Sequence, residues 1–148
     1  MTAHTPPHVV ADVRLHVGES PVWSVAEQAL YWVDIEGRRV HRFDWARRSE
    51  RSWPTPERIG CIALHRDGGL LAAMETGLFH LRLGDDGTVG CSLRHSVRFP
   101  HDGMRFNDGR CDPQGRLLAG SMNEARDAAT AALYRLDPDF SLTQLLSG

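Results

Sequence analysis

Two short polar segments carry the residue types that could do chemistry. Residues 104–110 read MRFNDGR and place a guanidinium, Arg105, two residues before an amide, Asn107, with an acid and a glycine directly after it. Residues 18–23 read GESPVW and place a carboxylate, Glu19, just before a proline turn. An arginine, an asparagine and a glutamate on turns are groups that can hold a polyhydroxylated ligand and a hard metal ion.

Each of these residues also has a purely structural interpretation. Glu19 alone would be an ordinary surface acid before a turn. Arg105 could pair with Asp102 or Asp108, a contact worth little if it is exposed. The Asn-Asp-Gly sequence favours a hairpin turn with positive φ. Within it, Asp108 would form the turn or support the site rather than act as a catalyst.

The elements that must position these residues come from a repeat with a period of about 40 to 47 residues. Its three units begin with a polar turn followed by an apolar strand: WSVAEQALYWVD, LHRDGGLLAAME and CDPQGRLLAGSM. Each unit continues into a segment of alternating apolar and polar residues: RVHRFD, GLFHLRL and ALYRLD. Such alternation predicts strands with one buried face. The sequences DGG, GDDG, DPQG and DPD predict turns between them.

Units of this length and hairpin rhythm fit the four-stranded blades of a propeller, whereas a leucine-rich repeat is too short. We therefore predict an all-β fold, a partial β-propeller of about three four-stranded blades. A closed propeller has about four to eight blades. We expect residues 13–148 to be the N-terminal portion of a propeller domain and residues 1–12 to be a flexible tail. Open blade faces and edges would favour self-association.

Composition narrows the class of protein. The chain has 41% hydrophobic residues, enough for a core, and a formal net charge of −2, which indicates no nucleic-acid partner. No stretch approaches membrane-spanning length, and MTAHTPPHVV has no signal-peptide pattern. The cysteines Cys61, Cys91 and Cys111 match no zinc or redox motif. We predict reduced thiols that behave as small hydrophobes in a cytoplasmic protein.

Taken in order, GESPVW, LYWVDIEGRRVHRFD and MRFNDGRCDPQGRLLAGSM resemble the regucalcin (senescence marker protein) and gluconolactonase family, from about Val13 onward. The resemblance implies a six-bladed propeller that hydrolyses sugar lactones with one divalent metal ion (Ca, Zn, Mg or Mn) in its central channel. It implies that Glu19 ligates the metal and that Arg105 and Asn107 bind the substrate.

The resemblance also implies groups that this sequence does not supply. The family completes its metal site with an asparagine and with an aspartate that also accepts the proton. Both are expected in blades beyond Gly148, so no residue here is assigned a catalytic role. A further substrate-binding acid of the family falls on Ala125. Glu124 is adjacent, but side chains alternate along a strand, so it is not expected to replace that acid.

The leading hypothesis is a metal-dependent sugar-lactone hydrolase of the gluconolactonase type, which converts an aldonolactone to the aldonic acid. Its partner would be a small sugar lactone rather than nucleic acid or membrane, and we expect the chain to be incomplete and inactive alone. The alternative is a non-catalytic propeller remnant or interaction module. Two such halves could self-associate into one closed ring.

Overall fold

The computed structural model describes residues 6–148; residues 1–5, with the first part of the predicted tail, lie outside this range. Residues 6–148 contain twelve strands and no helix, and so no helix that could cross a membrane. The strands are β1 (Gly18–Ser24), β2 (Ala29–Asp34), β3 (Arg39–Asp44), β4 (Ser49–Pro54), β5 (Ile59–Leu64), β6 (Leu70–Met74), β7 (Gly77–Leu83), β8 (Val89–Ser96), β9 (Met104–Cys111), β10 (Leu117–Asn123), β11 (Ala132–Leu136) and β12 (Leu142–Ser147).

The strands form three four-stranded antiparallel sheets, each a meander of consecutive strands. We call β1–β4 blade 1, β5–β8 blade 2 and β9–β12 blade 3. This arrangement confirms the predicted all-β partial propeller of about three four-stranded blades. The assignment of residues 1–12 as a tail stays a prediction, although residues 6–17 join no sheet.

Two apolar cores hold the blades together, and blade 2 contributes to both. The core between blades 1 and 2 contains the buried residues Ala29, Tyr31, Val33, Ile35, Val40, Ile59, Ile62, Leu70, Ala72, Met74 and Leu81. The core between blades 2 and 3 contains Cys61, Ala63, Leu71, Ala73, Leu78, Phe106, Leu117, Ala119 and Leu136. Each fully buried large aliphatic side chain contributes about 1.5–3 kcal/mol. These contacts therefore fix the three blades relative to one another.

The face of blade 1 that is turned away from blade 2 carries exposed aromatic residues. Trp23 and Trp45 are 41% and 48% exposed and lie edge to face, with ring centroids 6.3 Å apart. The Arg48 guanidinium lies 4.7 Å from the Trp45 ring centroid. On blade 3, the last strand exposes Leu145 and Leu146. The two ends of the arc of blades thus present apolar surface.

The first strands of the three blades, β1, β5 and β9, contact one another, and each of them carries a β-bulge. One extra residue lies between Glu19 and Val22 in β1, one at Gly60 in β5, and one between Phe106 and Gly109 in β9. A bulge bends the strand and changes the direction of a side chain, which is why bulges are common beside binding sites. We call these three bulged segments the inner edge.

The segments of the inner edge fit closely against one another. A Cβ on Gly60 would lie 2.2 Å from the carbonyl oxygen of Phe106 and 2.5 Å from that of Asn107, so β5 approaches β9 at a residue where only glycine fits. On the other side, the Ile62 backbone N–H donates a 2.9 Å hydrogen bond to Oγ of the buried Ser20 in β1. The central strand is thereby fixed between its neighbours.

Asp34, at the end of β2, fastens the segment that leads into β1. Its Oδ1 accepts hydrogen bonds from the backbone N–H groups of Val17 and Gly37, and its Oδ2 accepts one from His16, each at 3.0 Å. Burial acts to raise the pKa of the Asp34 carboxyl, but these hydrogen bonds outweigh it and lower the pKa to about 2. An ionised carboxylate therefore holds the entry to blade 1.

Candidate functional site

Arg105 and Asn107 contact each other on β9. The Arg105 Nη1 donates to Oδ1 of Asn107 and to the carbonyl oxygen of Phe106, in both cases at 3.0 Å. Arg105 is only 6% exposed, while Asn107 is half-buried. Since the amide oxygen of Asn107 accepts from the guanidinium, its nitrogen is left to donate to a ligand. The structure therefore brings together the two residues that were predicted to bind substrate.

Glu124 completes this arrangement, which the sequence did not predict. Its Oε1 accepts a 2.8 Å hydrogen bond from Nε of Arg105. Alternation along a strand does not apply to Glu124, because β10 ends at Asn123 and the chain turns there. Asn123 holds that turn by accepting a 3.1 Å bond from the backbone N–H of Ala125. A carboxylate thus faces Arg105 from the position next to Ala125.

Arg58, just before β5, joins acids from all three blades. Its Nη1 lies 3.1 Å from Oε1 of Glu36 in blade 1 and 3.0 Å from Oε1 of Glu124 in blade 3. Its Nε and backbone N–H donate to the two carboxylate oxygens of Glu75 in blade 2, at 2.9 and 3.0 Å. We call the turns that carry these three glutamates the rim. Arg58 therefore bridges the blades at the rim beside Arg105.

Sequence reasoning missed Arg58 and its acidic partners, although one signal was available. Glu36, Glu75 and Glu124 each follow the second strand of a blade by one or two residues. An acid at the same place in each repeat unit indicates a shared environment. No comparable signal marks Arg58, which belongs to no repeated motif.

The charges of the rim are mutually stabilised. Burial acts to raise the pKa of the Glu124 carboxyl, but the hydrogen bonds from Arg105 and Arg58 outweigh it and hold the pKa below its usual range. The same balance, with Arg58 as the donor, lowers the pKa of Glu75. Burial alone would lower the pKa of Arg58, yet its carboxylate partners raise it. All of these groups are therefore ionised at neutral pH.

Glu19 directly precedes the bulge of β1, apart from this network. It is exposed, and within residues 6–148 its side chain makes no hydrogen bond or ion pair. Arg110 in β9 donates from Nη1 to the carbonyl oxygen of Pro21 in β1, at 3.0 Å, and so joins blade 3 to blade 1. Glu19 thus shares the inner edge with Asn107, but within residues 6–148 no side-chain hydrogen bond or ion pair joins it to Arg105 or Asn107.

The described residues do not by themselves fit a resident metal ion. In residues 6–148 no group of three histidine, cysteine, aspartate or glutamate side chains converges on one point. Ca²⁺ takes six to eight oxygen ligands and Mg²⁺ about six. Glu19 offers two carboxylate oxygens at most, so its predicted role as a metal ligand needs donors that this part of the chain does not bring to it.

The cysteines supply no chemistry to the site. All three thiols are unpaired, as predicted. Cys61 is buried against Gly109, and burial raises the pKa of its thiol to about 12, so it is no nucleophile at neutral pH. Cys91 and Cys111 are exposed, so only Cys61 packs into a core.

Known proteins resemble this chain along nearly all of its length. The 6-deoxy-6-sulfogluconolactonase of Pseudomonas putida is 39% identical over 132 residues, which are 89% of this chain and 44% of that protein. A pentonolactonase of Haloferax volcanii is 38% identical over 94% of this chain and 45% of its own length. The regucalcin of Xenopus laevis is 38% identical over 86% and 44%. The chain spans less than half the length of these relatives.

A solved structure shares the fold. The calcium-binding protein regucalcin from Agrobacterium tumefaciens matches with a TM-score of 0.84 and 24% identity, over 94% of this chain and 46% of that one. The sequence of residues 17–148 also matches a family described as the SMP-30/Gluconolactonase/LRE-like region. With its bladed fold, its GESP and RFNDG segments and this match, the chain belongs to the SMP-30/gluconolactonase family.

Proposed function

We propose that this chain is part of a metal-dependent hydrolase that opens a sugar lactone to the aldonic acid. One observation carries the proposal: in a member of this family, Arg105, Asn107 and Glu124 converge where the rim meets the inner edge, as a cation, an amide and a carboxylate. Such a set binds a ring that bears both hydroxyl and carbonyl oxygens, because it offers donors and an acceptor together.

Each residue has a distinct role in this proposal. The amide nitrogen of Asn107 donates to a ring oxygen or hydroxyl of the lactone. The Arg105 guanidinium, already fixed by three hydrogen bonds, donates from its remaining N–H groups to the carbonyl or a hydroxyl. A fixed guanidinium loses little side-chain entropy on binding, which favours affinity. The chain thus orients the lactone.

The metal belongs to the same proposal. Glu19 would supply one carboxylate to a divalent ion (Ca²⁺, Zn²⁺, Mg²⁺ or Mn²⁺) together with donors outside the described residues. Such an ion would polarise the lactone carbonyl. We assign no proton acceptor among residues 6–148, and we expect this chain alone to be inactive. Its unpaired cysteines favour a cytoplasmic location.

Completion of the propeller tests this function. The chain would be joined to the part of the Agrobacterium regucalcin that lies outside the 46% it matches. Hydrolysis of D-glucono-1,5-lactone would be followed with a pH indicator, with Ca²⁺, Zn²⁺, Mg²⁺ or Mn²⁺ and with EDTA. We expect metal-dependent hydrolysis that is lost in the Asn107→Ala variant. A folded chimera that leaves the spontaneous rate unchanged would refute the proposal.

A second function, that of an interaction module that self-associates, is favoured by the exposed aromatic face of blade 1. Trp23 and Trp45 are each more than 40% exposed on a sheet face, and contiguous apolar surface of this kind marks interfaces. The proposed occupant is a second copy, whose blade 3 would cover this face. Sedimentation over a range of concentrations tests it, and a monomer at every concentration would exclude it.

A further inference from the structure

Arg58 is the point at which the three blades meet at the rim. A single guanidinium, with 17% of its side chain exposed, forms ion pairs of 2.9 to 3.1 Å with Glu36, Glu75 and Glu124. Arginine suits this place because its planar fork directs several N–H groups in fixed directions, which lysine cannot do. Its position is therefore set by three sheets at once.

The consequence for Glu124 is that its carboxylate is held from two sides. Oε1 accepts from Arg58 Nη1 at 3.0 Å and from Arg105 Nε at 2.8 Å. Two charge-assisted bonds to one oxygen fix the rotamer of a side chain that would otherwise move freely. Glu124 remains 31% exposed, and its Oε2 makes no hydrogen bond within residues 6–148. A fixed and ionised acceptor thus faces solvent next to Arg105.

We propose that Arg58 is a positioning residue that holds Glu124 and Arg105 in the arrangement that receives a neutral polyhydroxylated lactone. The inference rests on the proposed function and extends it to a residue that contacts no ligand itself. It also states a substrate class, since a carboxylate oxygen accepts from a sugar hydroxyl but repels a second anion.

The charge of the rim supports a neutral rather than an anionic lactone as the substrate. The Nε, Nη1 and Nη2 atoms of Arg58 each lie within 3.1 Å of a glutamate oxygen, and the three glutamates outnumber the two cations, Arg58 and Arg105. A lactone that carries a carboxylate or sulfonate would meet Glu36 and Glu124 at the rim. Hydrolysis of a neutral lactone yields a carboxylate, so the same repulsion favours release of the product.

The positioning role is tested on the 148-residue chain by NMR, without lactone or metal. The Glu124 side-chain carbon, assigned through Glu124→Gln, is followed against pH, together with the Nε–H signal of Arg105. In Arg58→Met we expect the Glu124 pKa to rise and the Arg105 signal to shift and exchange faster; Arg58→Lys restores part of both effects. Glu36→Gln, which removes another partner of the same guanidinium, should leave both signals unchanged.

Unchanged Glu124 titration and Arg105 signals in a folded Arg58→Met chain would overturn the proposal. If Arg58→Met does not fold, Arg58→Lys is compared with the parent chain; we then expect smaller changes in the same direction, and unchanged signals would overturn the proposal. For the substrate class, neutral D-glucitol and anionic D-gluconate are added to the parent chain. We expect the Arg105 Nε–H signal to shift more with glucitol than with gluconate. An equal or larger shift with gluconate, or no shift with either compound, would overturn the proposed preference for a neutral substrate. The comparison of the variants needs no hydrolysis. An inactive chimera would therefore refute the proposed function and leave the positioning role of Arg58 untouched.

Discussion

Replacement of Gly60 by alanine would disturb the contact between β5 and β9 that underlies the candidate site. The added methyl group would lie 2.2 Å from the carbonyl oxygen of Phe106 and 2.4 Å from its carbonyl carbon. Both are backbone atoms, which cannot rotate away as a flexible side chain can. To restore an ordinary contact of 3.4 Å, the two strands must separate by about 1.2 Å. Overpacking of this kind costs about 1–3 kcal/mol.

Urea unfolding, followed by circular dichroism and tryptophan fluorescence, measures this cost. With a typical dependence of about 2 kcal/mol per molar urea, the midpoint should fall by about 0.5–1.5 M. The side-chain amide signals of Asn107 should shift as well, since Asn107 follows the displaced carbonyl. Gly120→Ala is the matched control, because Gly120 lies in the adjacent strand β10 and its nearest neighbour to an added Cβ is 3.8 Å away.

One result would refute the reasoning. If Gly60→Ala unfolds at the same urea concentration as Gly120→Ala and leaves the Asn107 signals in place, β5 does not support β9 at the bulge. The geometry of Arg105 and Asn107 would then depend on blade 3 alone, and the inner edge would not be a jointly built surface.

Three further predictions concern the inner edge and its surroundings. Because the Asp34 pKa is about 2 in the folded chain against 3.8 in its ordinary state, its contribution is present above about pH 4 and is lost as the pH falls toward 2. Asp34→Asn should cost roughly 2 kcal/mol at pH 7 and flatten this acid dependence in urea titrations; an unchanged acid dependence would contradict it. Ser20→Ala leaves the buried Ile62 N–H without its acceptor and should lower the free energy of unfolding by about 1–3 kcal/mol, so a midpoint equal to that of the parent would count against this hydrogen bond. Ca²⁺ or EDTA should leave the melting temperature of the chain and of Glu19→Gln unchanged, because one carboxylate does not hold the ion; a Ca²⁺-dependent rise that requires Glu19 would show a metal site in this part of the chain.

The blades were predictable from sequence because their signals are local. Alternation in segments such as RVHRFD and GLFHLRL reports which face of a strand is buried, and the DGG and DPQG turns report where the chain reverses. Both signals need only neighbours along the chain. The three repeat units therefore gave the number and size of the sheets correctly.

The network around Arg58 could not be predicted in the same way. Its partners lie 17 to 66 residues away in sequence, one in each blade. The register of one sheet against another depends on packing, which no periodicity encodes. Glu124 shows the limit most clearly: the alternation rule was sound, but it was applied to a residue just past the end of its strand. Arg105 and Asn107 were found because two residues on one strand keep their spacing in space.

The three β-bulges have a consequence for how specificity changes during evolution. Each lies in the first strand of its blade: the bulge of β1 directly follows the acid Glu19, that of β5 contains Gly60, which has no side chain, and that of β9 contains the amide Asn107. Glu19 and Asn107 belong to neither apolar core, so mutation at either alters what the inner edge offers without removing buried surface. A duplicated blade thus supplies both a structural unit and one position at the inner edge that can vary. Selection can then change the side chains of the inner edge in one blade at a time, while the apolar cores stay constant.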